Sequence, residues 1–234
     1  MGASTYILVT AAFLILQLLM SQGKLSSTMK GFLVPACAYI VLAISLNLLV
    51  GICGELSLGH AGFMGIGAFT GVIVTALLAT AVPNGIVRLV IAMVVGGVMA
   101  GAIGFLIGIP VLRLRGDYLA IVTLAFGEII KELVTCLIVG HDENGLHILF
   151  NLTGNKTVED LGLSDTGIAI IKGAQGTASV KTIASFTAGF ILVMVTLFIV
   201  LNLKHSRAGR AIMALRDNRI AAESVGIPVT RYKM

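Results

Sequence analysis

Charged residues are scarce in this sequence. Only 12% of its 234 residues are Asp, Glu, Lys or Arg, while 57% are apolar, against roughly a quarter charged and half apolar in ordinary soluble domains. This shortage excludes an ordinary soluble protein and indicates a membrane protein. The net charge of +5 does not require a nucleic-acid partner, because seven of the 16 basic residues follow residue 203. Basic residues beside a membrane span hold that segment in the cytoplasm.

Cysteine is also rare, and no metal-binding or nucleotide-binding spacing accompanies it. Cys37, Cys53 and Cys136 lie in or at the edge of apolar runs, without a CxxC or Cys/His pattern. Free cysteine packs as a small hydrophobe, so these residues are interpreted as core residues rather than ligands or disulfides. No metal site and no cofactor of the chain's own are therefore expected.

Six apolar blocks occupy most of the chain. Each is near the roughly 20 residues that a helix needs to cross about 30 Å of hydrocarbon. Only helices and closed barrels satisfy their backbone in lipid, and continuous rather than alternating apolar runs select helices. The sequence therefore predicts an all-α, polytopic transmembrane bundle of about six helices. The blocks cover residues 5–20, 31–52, 61–82, 89–112, 118–139 and 185–203.

The distribution of Lys and Arg predicts the orientation of this single transmembrane domain, residues 1–234. With a cytoplasmic N-terminus, nine basic residues lie inside, Arg113 and Arg115 among them, and six outside, as the positive-inside rule favours. The connection 140–184 is then an external loop, and residues 204–228 form a cytoplasmic segment.

Glycine is concentrated at the junction of the second and third blocks. Seven glycines occur among the 22 residues 50–71, and glycine weakens helices and admits unusual backbone angles. A broken or tightly turned segment is expected there. Transporters place such breaks beside the solute pathway, but a plain cytoplasmic turn with Glu55 and His60 in water is equally consistent. The pathway or gate candidates in this segment are Gly54, Glu55, Ser57, Gly59 and His60.

Other glycines recur with GxxxG spacing, which lets membrane helices approach closely. Gly67 and Gly71 in the third block form one pair. The second set, in the fourth block, is Gly97, Gly101, Gly104 and Gly108. Both are interpreted as helix-packing signals.

The fifth block carries charges inside an apolar run. Glu128, Lys131 and Glu132 are three and four positions apart, so they share one helix face. Charges within a membrane segment normally face a partner or a wet cavity, which makes Glu128 and Lys131 further pathway candidates. Two alternatives are an internal pair that only stabilises the bundle and a helix lying nearer the membrane interface.

The C-terminal stretch carries the clearest helix boundaries. Ser206 is predicted to cap a helix over 207–216, and Asp217 to cap a second helix over 218–225. Gly226 occupies the expected C′ position of the second helix, and Pro228 prevents its continuation.

The second C-terminal helix has a narrow apolar edge formed by Ala221, Ala222 and Val225. A helix this short is marginal alone in water. It either lies on the membrane surface or packs on another protein, and its small side chains favour the protein contact.

Three stretches, "GELSLGHAGFMGIGAFT", "RLRGDYLAIVTLAFGEII" and "SRAGRAIMALRDNRIAAESVGIPVTRYKM", resemble permeases of bacterial ABC importers of the branched-chain amino acid type, specifically the LivM-like subunit. The resemblance implies a non-enzymatic, multi-pass subunit of the bacterial inner membrane that translocates leucine, isoleucine and valine. It also implies four kinds of partner: a homologous second permease, cytoplasmic ATPases, an extracytoplasmic substrate-binding protein and the lipid bilayer. Because no GxxxxGK[ST] motif occurs, ATP must be hydrolysed by a separate chain.

The resemblance also implies a cytoplasmic coupling helix that docks on the ATPase. Many importers carry Glu-Ala-Ala followed by Gly in this region, whereas this chain has Ile220 in place of the Glu. The family continues with further apolar helices where this sequence stops, so a C-terminally truncated permease is expected. The implied coupling residues are Arg207, Gly209, Arg210, Arg216, Asp217, Ala221, Ala222 and Gly226.

Other functions stay open at this stage. Related permeases carry urea, short amides or other amino acids. An ion-coupled secondary transporter would use Glu128, Lys131 and Glu55. An intramembrane enzyme based on Glu55 and His60 is disfavoured, because no second metal-ligating His at helical spacing and no nucleophile–base pair accompany them.

Overall fold

A computed structural model describes residues 2–79, 81–111, 114, 116–142, 145–152, 156–164, 167–177, 182–229 and 232. Two residues used above to mark a membrane boundary, Arg113 and Arg115, lie outside these ranges.

A helix occupies most of each predicted apolar block in this structure, although the helix of the third block ends at Leu77 rather than at residue 82. Several helices extend a few residues beyond the apolar block into polar residues, because backbone hydrogen bonding continues past the last apolar side chain. The six are α1 (Gly2–Ser21), α2 (Ser27–Asn47), α3 (His60–Leu77), α4 (Gly85–Val111), α5 (Asp117–Thr135) and α6 (Phe186–His205); α7 (Arg207–Asp217) and α8 (Arg219–Ser224) follow them.

Five helices in the described part of the chain are long and apolar enough to cross a membrane. They are α1, α2 with its continuation to Cys53, α3, α4 and α6. Many of their apolar side chains, such as Leu8 and Ile86, are exposed, which suits helices surrounded by lipid or by other membrane subunits. Helix α5, in the fifth block, has 19 residues, but four of them are charged. It is therefore not apolar enough to be counted with these five helices.

The chain divides into two compact units. Unit 1, residues 1–56 and 184–234, contains α1, α2 and α6 to α8. Its core forms where Phe13 of α1 stacks on Phe186 and Phe190 of α6, with ring centroids 5.2 and 3.9 Å apart. Cys37 of α2 is buried in the same cluster, as expected for a small hydrophobe. Cys53 and Cys136 are half-buried.

Unit 2, residues 57–183, contains α3, α4 and α5. The predicted packing role of Gly67 and Gly71 is confirmed: a Cβ on either would lie 3.6 Å from a backbone oxygen of α4, at Gly96 and Ala92 respectively. On α4 the prediction is confirmed only for Gly104, whose added Cβ would lie 3.5 Å from the Phe63 ring. It is wrong for Gly97, Gly101 and Gly108 within this chain, since no described atom lies within 4 Å of an added Cβ there.

Unit 2 also contains an antiparallel sheet that the sequence did not predict. Strands β1 (Leu137–Asp142), β2 (Gly145–Phe150) and β3 (Ile168–Lys172) are ordered β2-β1-β3. Val139, Ile170 and Ile171 are fully buried, and Phe69, Val72 and Ile73 of α3 pack against them. The helix of the fifth block therefore ends at Thr135 rather than at residue 139, because the last apolar residues of the block belong to strand β1.

Candidate functional site

Helix α2 ends in the break that its glycines predict. Residues Leu48–Cys53 continue α2 as a π-helix, and Gly54 ends it with a left-handed backbone angle, φ +72°. The backbone N–H groups of Gly54 and Glu55 both donate to the carbonyl of Leu49. Single π-helical turns are rare and occur often at functional positions. This segment, together with Glu55, belongs to unit 1.

Arg216 of α7 fastens the cytoplasmic segment to this π-helical turn. Its Nη1 donates to the carbonyl of Gly51 at 2.6 Å, while Nε and Nη2 both donate to Asp217 Oδ1, at 3.0 and 2.8 Å. The aliphatic stem of Arg216 lies over Gly54, where an added Cβ would overlap Arg216 Cγ. Glycine is thus required at position 54 for two reasons, the left-handed backbone and the contact with α7.

The start of α7 matches the prediction. Ser206 caps the helix, and its Oγ accepts the N–H of Gly209 at 3.0 Å. Gly209, in the first turn of α7, is buried against the end of α6, where a Cβ would overlap the carbonyl oxygen of Leu203. Arg210 donates to the carbonyl of His205 at 3.0 Å. Of the predicted coupling residues, Gly209 and Arg216 therefore have well-defined structural roles inside unit 1, while Arg207 is exposed.

The predicted cap of α8 is wrong by one residue. Asn218, with extended backbone, caps the helix, and its Oδ1 accepts the N–H of Ala221 at 3.0 Å. Asp217 ends α7 and pairs with Arg216, so it is not available as the cap. At the other end Gly226 has φ +83°, and the N–H groups of Gly226 and Ile227 donate to Glu223 and Ala222. These two bonds form a Schellman motif, which confirms Gly226 at C′.

The exposed face of α8 differs from the predicted edge. Ala222 is only 4% exposed, whereas Val225 is 76% and Ile220 81% exposed. At 100° per residue, Ile220 lies about 160° around the helix from Ala222, while Ala221 and Val225 lie about 100° and about 60° from it. The exposed apolar residues of this short segment, Ile220, Ala221 and Val225, are together called here the α8 face. Ile220 was not among the predicted edge residues, and same-face spacing does not link it to Val225, five positions later.

The predicted candidates Ser57, Gly59 and His60 belong to unit 2. The N–H of Leu58 donates to Thr123 Oγ1 of α5 at 3.1 Å. A Cβ on Gly59 would overlap the carbonyl oxygen of Thr123, and one on Gly127 would lie 3.0 Å from the Cα of Gly59. The start of α3 therefore touches the backbone of α5 through glycine. Ser57 and His60 are half-buried beside this contact.

A cavity of about 420 Å³ opens beside the contact between α3 and α5. Glu128 and Lys131 line it, and Lys131 Nζ donates to Glu128 Oε2 at 2.9 Å. The expectation that these two side chains share a helix face is confirmed. Apolar side chains and glycine backbone form most of the remaining wall: Leu58, Gly59, Ala61, Gly62, Gly65, Phe69, Leu124, Gly127, Ile130, Val134, Gly173, Ala174 and Gly176.

Unit 2 thus unites three of the seven pathway candidates, Gly59, Glu128 and Lys131, at one cavity. Gly54 and Glu55 form part of the helix end in unit 1. Ser57 and His60 are not among the described residues that line this cavity. Thr123 and Gly127 were missed by the sequence reasoning, because a backbone contact with Gly59 leaves no local pattern.

The family model described as "Branched-chain amino acid transport system / permease component" matches residues 28–234. The chain belongs to this family. The relationship confirms the expected polytopic helical architecture, and together with the apolar helices it makes the chain a multi-pass membrane protein.

Two curated relatives are similar over 207 residues. The high-affinity branched-chain amino acid transport system permease protein LivM of Escherichia coli K12 is 38% identical, and its counterpart from Salmonella typhimurium LT2 is 37% identical. Each alignment covers 84% of this chain and 45% of the relative. The chain therefore spans about half the length of the curated relatives it matches. No solved structure gives a significant match.

Proposed function

We propose that this chain is the membrane-spanning permease subunit of an ATP-driven importer of leucine, isoleucine and valine. The family match over residues 28–234 carries the proposal, and the names of both LivM relatives specify branched-chain amino acids. In this proposal the chain has no catalytic activity and no cofactor of its own. Its 234 residues form part of a single permease domain.

The geometry of the C-terminal segment supports docking on a separate ATPase. Helix α8 is bounded by Asn218 and by the Schellman motif at Gly226, so its position in the chain is well defined. Its α8 face presents two large aliphatic side chains, Ile220 and Val225, to the surroundings. An exposed apolar patch on an otherwise polar segment is typical of a protein-binding surface. Residues 204–228 are accordingly the coupling segment.

A motion of the docked helix would reach the membrane through Arg216. The guanidinium joins α7 to the last turn of α2 by a charge-assisted hydrogen bond to Gly51, and such bonds are shorter and stronger than neutral ones. A displacement of α7 therefore stresses the π-helical turn, the least regular part of this span. ATP-driven closure can shift the permease only if its alternative states bind the ATPase differently.

The remaining partners and the location follow from the same proposal. A second permease subunit would cover part of the exposed apolar surface, and a substrate-binding protein would deliver the amino acid from outside. The chain would lie in the bacterial inner membrane with its N-terminus and coupling segment in the cytoplasm and residues 140–184 outside.

The experiment that tests the proposal changes the α8 face. The double variant Ile220→Glu/Val225→Glu is purified from its native host, and the co-purified ATPase and ATP-dependent leucine uptake are measured. Burying two aliphatic side chains contributes about 3 kcal/mol or more, so recovery of the ATPase should fall by at least about tenfold. Leu152→Glu is the control, because Leu152 is equally exposed, at 80%, but lies in residues 140–184.

Two results would contradict the proposal. One is ATPase recovery and uptake that are the same in the double variant and in the Leu152→Glu control. The other is leucine uptake that ignores ATP depletion and stops when the proton gradient is dissipated, which would identify an ion-coupled transporter.

A further inference from the structure

The unit 2 cavity combines two opposite charges with an apolar wall. Glu128 and Lys131 lie three residues apart on α5 and are joined at 2.9 Å, yet their side chains remain 57% and 65% exposed. The bond engages one carboxylate oxygen, Oε2, and requires one of the three ammonium donors of a lysine. Both groups therefore have the capacity to bind a further polar partner in the cavity.

The rest of the wall is suited to a short aliphatic group. Leu124, Ile130 and Val134 of α5 and Phe69 of α3 line the cavity with apolar surface. Gly65 of α3 leaves room in the cavity, since no described atom lies within 4 Å of a Cβ built there, whereas Gly62 packs closely on Gly127 and Ile130. The volume of about 420 Å³ lies within the range of roughly 300 to 1,000 Å³ that is usual for small-molecule sites.

We propose that this cavity binds the zwitterion of a free aliphatic α-amino acid. The α-carboxylate binds Lys131, the α-ammonium binds Glu128, and the side chain lies against Leu124 and Val134. The assignment rests on the proposed function and adds a site at which the permease itself contacts the solute.

Charge complementarity selects this ligand over singly charged ones. A zwitterion offers one group to each member of the ion pair, so both charges stay compensated when it binds. A simple anion is attracted by Lys131 but repelled by Glu128 at a similar distance. A simple cation is attracted by Glu128 but repelled by Lys131. The apolar wall disfavours strongly hydrated side chains, because their burial without partners costs free energy.

The experiment measures binding of tritiated leucine to the complete transporter, purified from its native host into lipid nanodiscs without its binding protein. Two variants reduce the site in different ways: Gly65→Leu fills the cavity, and Lys131→Met removes the carboxylate partner. Gly101→Leu is the matched control, because Gly101 also has open space around its Cβ but lies on α4 outside the cavity. Leucine affinity should fall at least tenfold in both site variants and stay unchanged in Gly101→Leu.

Competition with leucine analogues provides a second measurement. Leucinol lacks the carboxylate and isocaproate lacks the ammonium, so each should compete at least tenfold more weakly than leucine. In Lys131→Met the difference between leucine and leucinol should largely disappear, which a merely structural role of Lys131 would not produce.

The proposal is overturned if the wild type shows no saturable leucine binding at millimolar concentrations, or if Gly65→Leu binds and transports leucine like Gly101→Leu. In either case ATPase association and wild-type uptake remain intact if the proposed function is correct. Loss of both in the wild type would instead contradict the proposed function.

Discussion

Arg216 in unit 1 and Lys131 in unit 2 are both cations beside a carboxylate of their own helix, yet they are used differently. The Arg216 guanidinium binds Asp217 through two nitrogens and the Gly51 carbonyl through a third. The Lys131 ammonium holds Glu128 at the wall of a cavity. A rigid guanidinium fork suits fixed partners, whereas an ammonium on a flexible stem can rearrange around a solute. The difference separates Arg216, which joins two helices, from the binding role proposed for Lys131.

Glycine shows the same contrast between the two units. At Gly54 an added Cβ would meet the side-chain stem of Arg216, whereas at Gly59 it would meet the backbone oxygen of Thr123. A backbone obstacle can be relieved only by moving a whole helix. The expected effects of substitution therefore decrease from Gly59, through Arg216, to the cap of α8.

The largest effect is expected for Gly59→Leu. The side chain would force the start of α3 away from α5, and overpacking of this kind costs about 3 kcal/mol or more. The midpoint of thermal unfolding in detergent, followed by size-exclusion chromatography, should fall steeply. Gly65→Ala is the control on the same helix, because its Cβ meets no described atom within 4 Å. Equal midpoints for the two variants would show that the contact between α3 and α5 does not hold unit 2 together.

An intermediate effect is expected for Arg216→Ala. The variant loses the bond to Gly51 and the cover over Gly54, which together contribute about 1 kcal/mol at a partly exposed site. Hydrogen exchange of the Gly54 and Glu55 amides should accelerate, and leucine-stimulated ATP hydrolysis should fall while the ATPase still co-purifies.

The control for Arg216→Ala is Arg210→Ala, which removes a bond to the nearby carbonyl of His205 and leaves the π-helical turn untouched. If the two variants give the same exchange rates at Gly54 and Glu55, Arg216 does not act as a brace.

The smallest effect is expected at the cap of α8. Asn218→Ala removes the side-chain acceptor for the Ala221 N–H, and loss of such a cap at an exposed helix end costs about 0.5 kcal/mol. Because α8 has only six residues, the change should appear as faster exchange at Ala221 rather than as a lower unfolding midpoint. Asp217→Ala should leave that amide unchanged. The reverse pattern would return the cap to Asp217.

Much of the helical structure could be predicted from local sequence. Apolar runs located all six long helices, because a continuous run of spanning length has few other stable conformations in lipid. Ser206 and Gly226 marked helix ends through side-chain and backbone rules that act within a few residues. Asp217 and Asn218 are both good caps, so only the bond between Asp217 and Arg216 separates their roles.

The sheet and the cavity could not be predicted from local sequence. Ile138 and Val139 continue an apolar run, and hydrophobicity alone does not distinguish a buried strand from the end of a helix. Glu128 and Lys131 were recognised as unusual, but the cavity beside them exists because Gly59 and Gly127 bring two helices together. Only the structure shows that Ile220 is exposed and that Ala222 is buried.

The sequence by itself determined that the chain is a polytopic helical membrane protein, where its long helices lie, and which family it belongs to. These features depend on composition and on patterns read along the chain. The tertiary structure decided that Arg216 braces the π-helical turn, that Glu128 and Lys131 face a cavity, and that Ile220 and Val225 face outward. Each of these facts joins residues far apart in sequence or depends on which side of a helix is covered, and local physical chemistry leaves both open.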